Sequence, residues 1–576
     1  MVTKRDVLSL LNELAALTIL DEGDPQSFRV RAYENAGRAI EGVTDDIAAM
    51  SEKDLVALKG IGKSTAGKIR QFVTTGRSDK LESLRQAYPA EFVRLTKIPG
   101  IGPKTARRLR DELNIHNVAT LEAALDQQLL RELPGFGKAK EEKIARAIEQ
   151  LGLRGKEVRF PIAEALPIAA ALVGELESLP SVSRAEYCGS LRRMRETVAD
   201  IDIIVATDDP QAVGDHVVDL PLVGEIIGHG ATKTSFVTPA GLQVDVRVVE
   251  PTQLGAAMQY FTGSKSHNIE VRQRALAKGM TLNEYGLVDV ETGDLIASET
   301  EEDVYAAIGL EWIPPPMREG TGELELAAQA ALPDLVTLAD IKGDLHDHTD
   351  RSGDGRASLE QMVAAAIDRG LEYLAITDHG INLTINGVER DAMLRQREEI
   401  ALLQQQHPGI RILHGCELNI AVDGTVDYDP EFLEGFDWCV ASVHDHFERP
   451  ADEQTVRLIT AMQNPAVNAI GHLSGRMIGR RPGIEFDAAA VMEAASLTDT
   501  AIEINGALER LDATPDVIRI GIDLGVHFAI STDSHHPSEM RRMEWGVANA
   551  QRGWLTAERV INTWPIDRLL SWIGVT

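Results

Sequence analysis

The 576 residues exceed what one hydrophobic core can use, so the chain comprises several domains. Three scattered cysteines (Cys188, Cys416, Cys439), an N-terminus without an apolar signal core and no bilayer-length apolar run exclude disulfide-rich secreted and membrane classes and point to a reducing cytosol. A net charge of −31, evenly spread, would argue against nucleic acid, but Ser51 to Lys156 carries eight more Lys/Arg than Asp/Glu, a confined basic surface on an acidic chain.

Residues 1–150 show apolar positions recurring at three and four and few β-branched runs, which predicts helices. Three related stretches punctuate them: Leu58-Lys59-Gly60-Ile61-Gly62-Lys63, Ile98-Pro99-Gly100-Ile101-Gly102-Pro103 and Leu133-Pro134-Gly135-Phe136-Gly137-Lys138. Each reads as a Gly-x-Gly turn after a helix, followed by a basic helix start. Backbone N–H groups at such a helix start suit a DNA phosphate. The stretches resemble helix-hairpin-helix motifs, which grip the backbone without reading sequence. Gly60, Gly62, Lys63, Gly100, Gly102, Lys104, Gly135, Gly137 and Lys138 are the expected DNA contacts.

From about Val158 the pattern becomes mixed α/β. Pro167–Leu176 reads as a short apolar helix with its proline in the first turn. In Cys188–Val205 (CGSLRRMRETVADIDIIV), Asp200 and Asp202 stand two apart on a predicted strand, so both carboxylates leave one face. Leu242–Val249 (LQVDVRVV) alternates, placing Asp245 on a second strand. Three carboxylates on neighbouring strands suit two divalent cations and in-line phosphoryl transfer. Gly189-Ser190 offers a turn that a phosphate can approach, and Arg192 and Arg193 add charge. Ile313-Pro314-Pro315-Pro316 halts this region, and Arg318–Gly322 reads as a linker into a short helix.

The Gly-Ser turn, DID and VDV, followed by Tyr260-Phe261-Thr262-Gly263 and Asn283-Glu284-Tyr285-Gly286, resemble the polymerase core of family X DNA polymerases. The resemblance implies a nucleotidyltransferase palm and thumb using Mg²⁺ or Mn²⁺, with dNTPs and gapped or primer-template DNA as partners. It implies that Gly189, Ser190 and Arg193 bind the triphosphate and that Tyr260, Phe261 and Gly263 line the sugar. Asn268 and Arg272 would face the minor-groove side of the nascent base pair. It also sets Lys68 at the position of the Schiff-base lysine of family X lyase domains. Neutralising phosphate is the other role open to Lys68. Phe28–Tyr33 resembles the entry to that lyase domain.

A further body starts at Ile341. Asp344-Leu345-His346-Asp347-His348-Thr349 sets two histidines at i, i+2, and Asp354 follows in a Ser-Gly-Asp-Gly turn. Apolar strands then end in His379, Glu417, His444, His472 and the pair Asp533 and His535. Strands alternating with helices, each releasing a His or acid at its C-terminal end, predict a parallel barrel with its site at that rim. Nine candidate ligands exceed the needs of one ion, so a cluster of two or three Zn, Mn or Fe ions is expected. The pattern resembles the PHP phosphoesterase domain that bacterial family X polymerases carry, whose ligand positions match His346, His348, Asp354, His379, Glu417, His444, His472, Asp533 and His535. The first turn is one residue longer than the usual Ser-Asp-Gly. The resemblance adds 3′–5′ exonuclease, apurinic-site cleavage and 3′-phosphate removal.

The expected architecture is multidomain α+β and α/β. A lyase-like helical domain (1–90) and a helical DNA-binding subdomain (91–155) precede the palm (156–260). A nucleotide-selecting thumb/fingers subdomain (261–318), a linker (319–340) and a distorted parallel β/α barrel (341–576) follow. The expected function is gap-filling DNA synthesis in repair by a cytoplasmic, nucleoid-associated bacterial monomer, with Asp200, Asp202, Asp245 and Lys68 as catalytic residues. Two other readings are a non-catalytic DNA-bridging protein and a phosphoesterase acting mainly on small phosphomonoesters.

Overall fold

The computed structural model describes residues 4–574 apart from 25–26, 42–46, 48–49, 97, 99, 134 and 151–158. Two compact units emerge, Met1–Phe160 with Ala199–Ile201 and Asp209–Val248, and Pro161–Val198 with Asp202–Asp208 and Val249–Thr576.

In the first unit, helices from Lys4–Glu22 to Gly137–Gln150 enclose a core that includes Leu11, Leu14, Ile40, Ile69, Phe92, Leu109, Leu121 and Ile144. The three Gly-x-Gly turns share one construction. The central residue (Ile61, Ile101 or Phe136) is buried. Its N–H donates three residues back, to Leu58 O, Ile98 O and Leu133 O at 3.1, 2.8 and 3.0 Å. Gly60, Gly100 and Gly135 adopt φ of +109, +93 and +80°, which only glycine takes without strain. Burying the apolar middle of the turn leaves the basic start of each following helix exposed (Lys63, Lys104, Lys138). The third turn follows a single 3₁₀ turn, Leu130–Glu132, rather than an α-helix. Pro99 and Pro134 lie outside the described residues. The unit also holds an antiparallel meander of Glu225–His229, Lys233–Val237 and Gln243–Val249.

In the second unit the helix starts at Ile162 and runs to Glu177, so Pro167 is interior rather than in the first turn. Pro161 caps the helix and sets its start. Pro167 is tolerated because it is exposed, where water can satisfy the carbonyl one turn back. Val182–Tyr187 pairs antiparallel with the Asp200–Thr207 strand. Helices Leu254–Thr262 and Lys265–Ala277 pack with a three-stranded antiparallel sheet around Ala256, Val271, Leu282, Tyr305 and Ile313, the first helix running across the expected boundary at 260/261.

The stretch expected to link two bodies is tightly held. Arg318 is fully buried, and its guanidinium donates to Glu301 at 2.5 Å while Arg192 donates to the same carboxylate at 2.9 and 3.0 Å. Burial works to raise the Glu301 pKa, but Arg318 and Arg192 override it and hold it at about 2, below the usual 4.5. Ionised Glu301 therefore adds stability above pH 4.5, and that share is lost as pH falls toward 2. Glu301→Ala strands two buried guanidinium groups, and we expect it to cost about 3–5 kcal/mol. Thermal denaturation at neutral pH checks this, and an unchanged midpoint would contradict it.

The barrel has seven strands: β1 (Gly343–Asp347), β2 (Tyr373–Ile376), β3 (Arg411–Asn419), β4 (Trp438–Ser442), β5 (Ala469–Ile470), β6 (Ala501–Asn505) and β7 (Phe528–Ser531). All pair in parallel and in chain order. A parallel bridge from Asp347 to Ser534, with His348 N–H donating to Ser534 O at 2.8 Å, joins the last strand to the first. Strand residues Leu345, Tyr373, Ala375, Leu413, Trp438, Val440, Ala469, Ala501 and Ala529 form one buried cluster, in which alanines alternate with large side chains to fill the interior. Ile376, Ile412, Ile470, Ile502 and Ile530 point the other way, into separate clusters with the surrounding helices.

Candidate active sites

On the palm, Asp200 is exposed and Asp202 half-buried, two apart on one strand. Cys188 N–H donates to Asp202 O at 2.8 Å, bringing the Gly189–Arg192 turn beside that strand. A Cβ on Gly189, which has φ +64°, would lie 3.2 Å from Asp202 Oδ2, so the turn abuts the carboxylate. Asp245 is buried at the centre of its strand, 2.7 Å from Lys233 Nζ and 3.7 Å from Arg247. Burial would raise its pKa, but Lys233 and Ser235 hold it below the usual range, so it stays ionised.

The two arginines after the turn diverge. Arg192, expected to add charge for phosphate, turns inward to Glu301 and Thr262. Arg193 lies 3.1 Å from Glu319 and donates to Thr262 O at 2.5 Å, just before Gly263. Tyr260 and Phe261 meet edge to face with ring centres 5.1 Å apart. Asn268 donates to Tyr260 O at 2.7 Å and accepts from Gln259 at 3.0 Å, while exposed Arg272 donates to Asn268 O. In the N-terminal unit, Lys68 Nζ donates to Ser64 Oγ at 2.8 Å and lies 5.8 Å from the centre of the Tyr33 ring. Burial, then Lys80 and Arg29, lower its pKa.

At the barrel rim, all nine expected ligands meet in one constellation. Glu417, on β3 and almost wholly buried, is its hub. Its Oε1 lies 3.0 Å from His472 Nε2 and 3.2 Å from His444 Nε2. Its Oε2 lies 2.8 Å from His379 Nδ1, 3.4 Å from His346 Nε2 and 3.6 Å from His348 Nε2. Asp533 Oδ1 stands 3.4 Å from His348 and 3.7 Å from His535. Asp354, despite its longer turn, reaches His379 and His535 at 3.3 and 3.4 Å and is steadied by Asn386 at 2.6 Å. Three donor triads lie within 4.8 Å: His348–His379–His535, His346–His348–Asp533 and His379–Glu417–His444.

These atoms fit cations. His346 Nε2, His348 Nε2, Glu417 Oε1 and Asp354 Oδ1 are buried without a hydrogen-bond partner, which an interior tolerates only where another ligand compensates. Burial would raise the Glu417 pKa, yet His444, His346 and His379 hold it well below its usual value. Burial would lower that of His379, yet Glu417 and Asp354 raise it to about 10. Nitrogen and oxygen donors without thiolate suit Zn, Mn or Fe. His414 stacks on Phe436 and His527 packs against Trp564 and Trp572, so neither joins the site.

Residues 2–78 match a helix-hairpin-helix domain, 92–150 a SAM-like helix-hairpin-helix tandem, 257–319 the DNA polymerase beta thumb and 344–513 the PHP domain. The chain is 38% identical over 562 residues to the DNA polymerase/3′-5′ exonuclease PolX of Bacillus subtilis (strain 168), covering 97% of both chains. It belongs to the PolX family of DNA polymerases. It is a polymerase of family X type with a C-terminal PHP domain, and that domain holds candidate metal sites of the kind phosphoesterase chemistry uses. Probable phosphatases of Caldicellulosiruptor saccharolyticus and Vibrio campbellii are each 30% identical, over 35% and 34% of this chain and 84% and 78% of their own. Among the described residues no helix is long and apolar enough to cross a membrane.

One functional strand of this PolX member escapes the strand-end rule. Glu503, in the middle of β6, lies 2.6 Å from His346 Nδ1 and accepts from His472 N at 2.5 Å. Asn505 donates to Glu503 at 3.3 Å and to Asp533 at 3.2 Å. A carboxylate on the far nitrogen of an imidazole fixes its tautomer and ring direction. The sequence signal was a lone acid inside the apolar run AIEIN. We expect Glu503→Ala to weaken metal binding about 10–100-fold, measured by competition with a chelator. Unaltered affinity would contradict the assignment.

Proposed function

We propose that this enzyme fills short gaps in damaged DNA and cleans 3′ ends with its own barrel, working as a monomer on nucleoid DNA in a bacterial cytoplasm. The observation that carries the reading is one polypeptide bearing three backbone-gripping turns, a palm-type aspartate strand and the constellation around Glu417. Asp200, Asp202 and Asp245 would hold two Mg²⁺ or Mn²⁺ ions, and the rim residues two or three Zn, Mn or Fe ions. Such cations, when bound, polarise phosphoryl oxygens and lower the pKa of water.

The protein's own groups do the rest. The Gly-x-Gly turns take phosphates of gapped DNA. Gly189, Ser190 and Arg193 take the dNTP triphosphate, with Arg193 exchanging Glu319 for phosphate. The Tyr260–Phe261 pair beside Gly263 crowds the sugar and favours deoxynucleotides, and Asn268 and Arg272 check the nascent pair in its minor groove. Lys68, with its lowered pKa, is suited to form a Schiff base with a 5′-deoxyribose phosphate. The likeness to probable phosphatases favours a second reading, hydrolysis of phosphomonoesters such as a 3′-phosphate at the barrel.

One gapped duplex with a 5′-deoxyribose phosphate tests all three activities. Extension with dNTPs, 3′ shortening with Mn²⁺ and borohydride trapping of the 5′ strand report them separately. Turnover of a small phosphomonoester without extension or shortening would overturn the proposal.

A further inference from the structure

The phosphate-binding turn of the palm is short. Gly189–Arg192 makes only four helical residues, and Met194 and Arg195 return by hydrogen bonds to Leu191 O and Ser190 O at 3.0 and 2.9 Å. Side chains must therefore fix it, and each of its arginines has a carboxylate partner. Arg192 goes to Glu301, Arg193 to Glu319 at 3.1 Å and Arg195 to Glu319 at 3.9 Å.

The acid that closes the segment, Glu196, is held by the barrel. Its carboxylate lies 3.2 Å from Arg552, at the end of the helix Arg542–Arg552, and 3.7 Å from Arg476. Arg552 is only 5% exposed and Arg476 17%. Both guanidinium groups hold Glu196 ionised, with its pKa at about 2 against burial that would raise it. Arg476 is itself anchored, donating to Arg510 O at 2.7 Å and to Leu511 O. It sits four residues beyond the rim histidine His472, in a loop closed by Gly475 N–H to His472 O at 2.6 Å. The Glu196 carbonyl accepts from Ile162 N at 2.9 Å, tying the same residue to the start of the palm's first helix.

We propose that Glu196 is a positioning residue for nucleotide binding, fastening the Gly189–Arg195 turn to the barrel rim through Arg552 and Arg476. The PHP barrel is then a structural part of the dNTP site as well as a nuclease. This rests on the reading of that turn as the triphosphate site. The tie works in one direction, because Arg476 keeps its two carbonyl partners when Glu196 is removed, so the rim loop stays in place while the palm turn is freed.

Glu196→Gln in the full chain should raise the dNTP KM in single-nucleotide gap filling about tenfold, the scale expected when a binding group is displaced by a fraction of an ångström. The kcat, and 3′–5′ degradation of a single-stranded oligonucleotide, should stay within about twofold of the parent. Because the single substitution leaves Arg552 buried without its partner, Glu196→Gln/Arg552→Met is measured beside it and should show the same split. An unchanged KM in both variants, or a parallel fall of both activities and of thermal stability, overturns the proposal. Arg193→Ala separates this from the underlying reading. A raised KM there with an unchanged KM in Glu196→Gln rejects only the tie. An unchanged KM in Arg193→Ala rejects Arg193 as a triphosphate ligand, and the two Glu196 variants still decide the tie.

Discussion

Asp202→Ala should lower gap-filling synthesis about 10³-fold or more while 3′-end degradation by the same preparation continues. Asp202 stands on the palm strand with its carboxylate against the Gly189 turn, where it would share both cations of the proposed transfer. Metal stabilisation of the developing charge amounts to several kcal/mol, and each factor of ten in rate takes about 1.4 kcal/mol, which sets the size of the loss. The effect should fall on kcat, because the charge being stabilised develops mainly in the transition state. Substrate affinity for gapped DNA, which the proposal assigns to the N-terminal turns, should stay within about threefold of the parent. Primer extension and 3′ shortening measured side by side decide the matter. Variants that keep extending, or lose both activities together, would remove Asp202 from the palm chemistry.

How far the sequence could be read depended on what each feature needed from distant residues. The Gly-x-Gly turns were readable because each is local: a buried apolar residue between two glycines fixes its own hydrogen bond three residues back. The rim ligands were readable because a His or acid at or just past the end of an apolar run has few other uses: His348, His379, His444, His472, Asp533 and His535 all follow their strands, whereas β1 and β3 run on past His346 and Glu417 to Asp347 and Asn419. Strand β6 was missed because what Glu503 does depends on His346, 157 residues earlier in the chain. Arg192 and Arg193 looked alike as phosphate groups. Only the fold shows that Arg192 answers Glu301, 109 residues on. The start of the Ile162–Glu177 helix depended on Pro167 facing solvent, a fact of tertiary environment that periodicity alone does not carry.

Glu417→Gln should cost the barrel at least one bound cation per chain and reduce Mn²⁺-dependent 3′–5′ degradation about 10²–10³-fold, with primer extension within about twofold of the parent. The substitution keeps the shape of the side chain and removes its charge, so packing on β3 is preserved. Glu417 is the residue most exposed to this change, because both oxygens are shared among five imidazoles within 3.6 Å. An amide offers one acceptor oxygen where the carboxylate offers two, and its NH₂ group only donates, so it cannot ligate a cation from the side where it replaces an oxygen. The imidazoles also lose the anion that draws them together, which weakens the triads His379–Glu417–His444 and His346–His348–Asp533 through their shared neighbours. Metal content by mass spectrometry, taken on protein loaded with Mn²⁺ and then desalted, separates this from a simple loss of catalysis. A Glu417→Gln protein with its full complement of metal and undiminished 3′ shortening would mean that the hub of the constellation is structural, and that the nuclease reading must rest on Asp533, His535 and His348 instead.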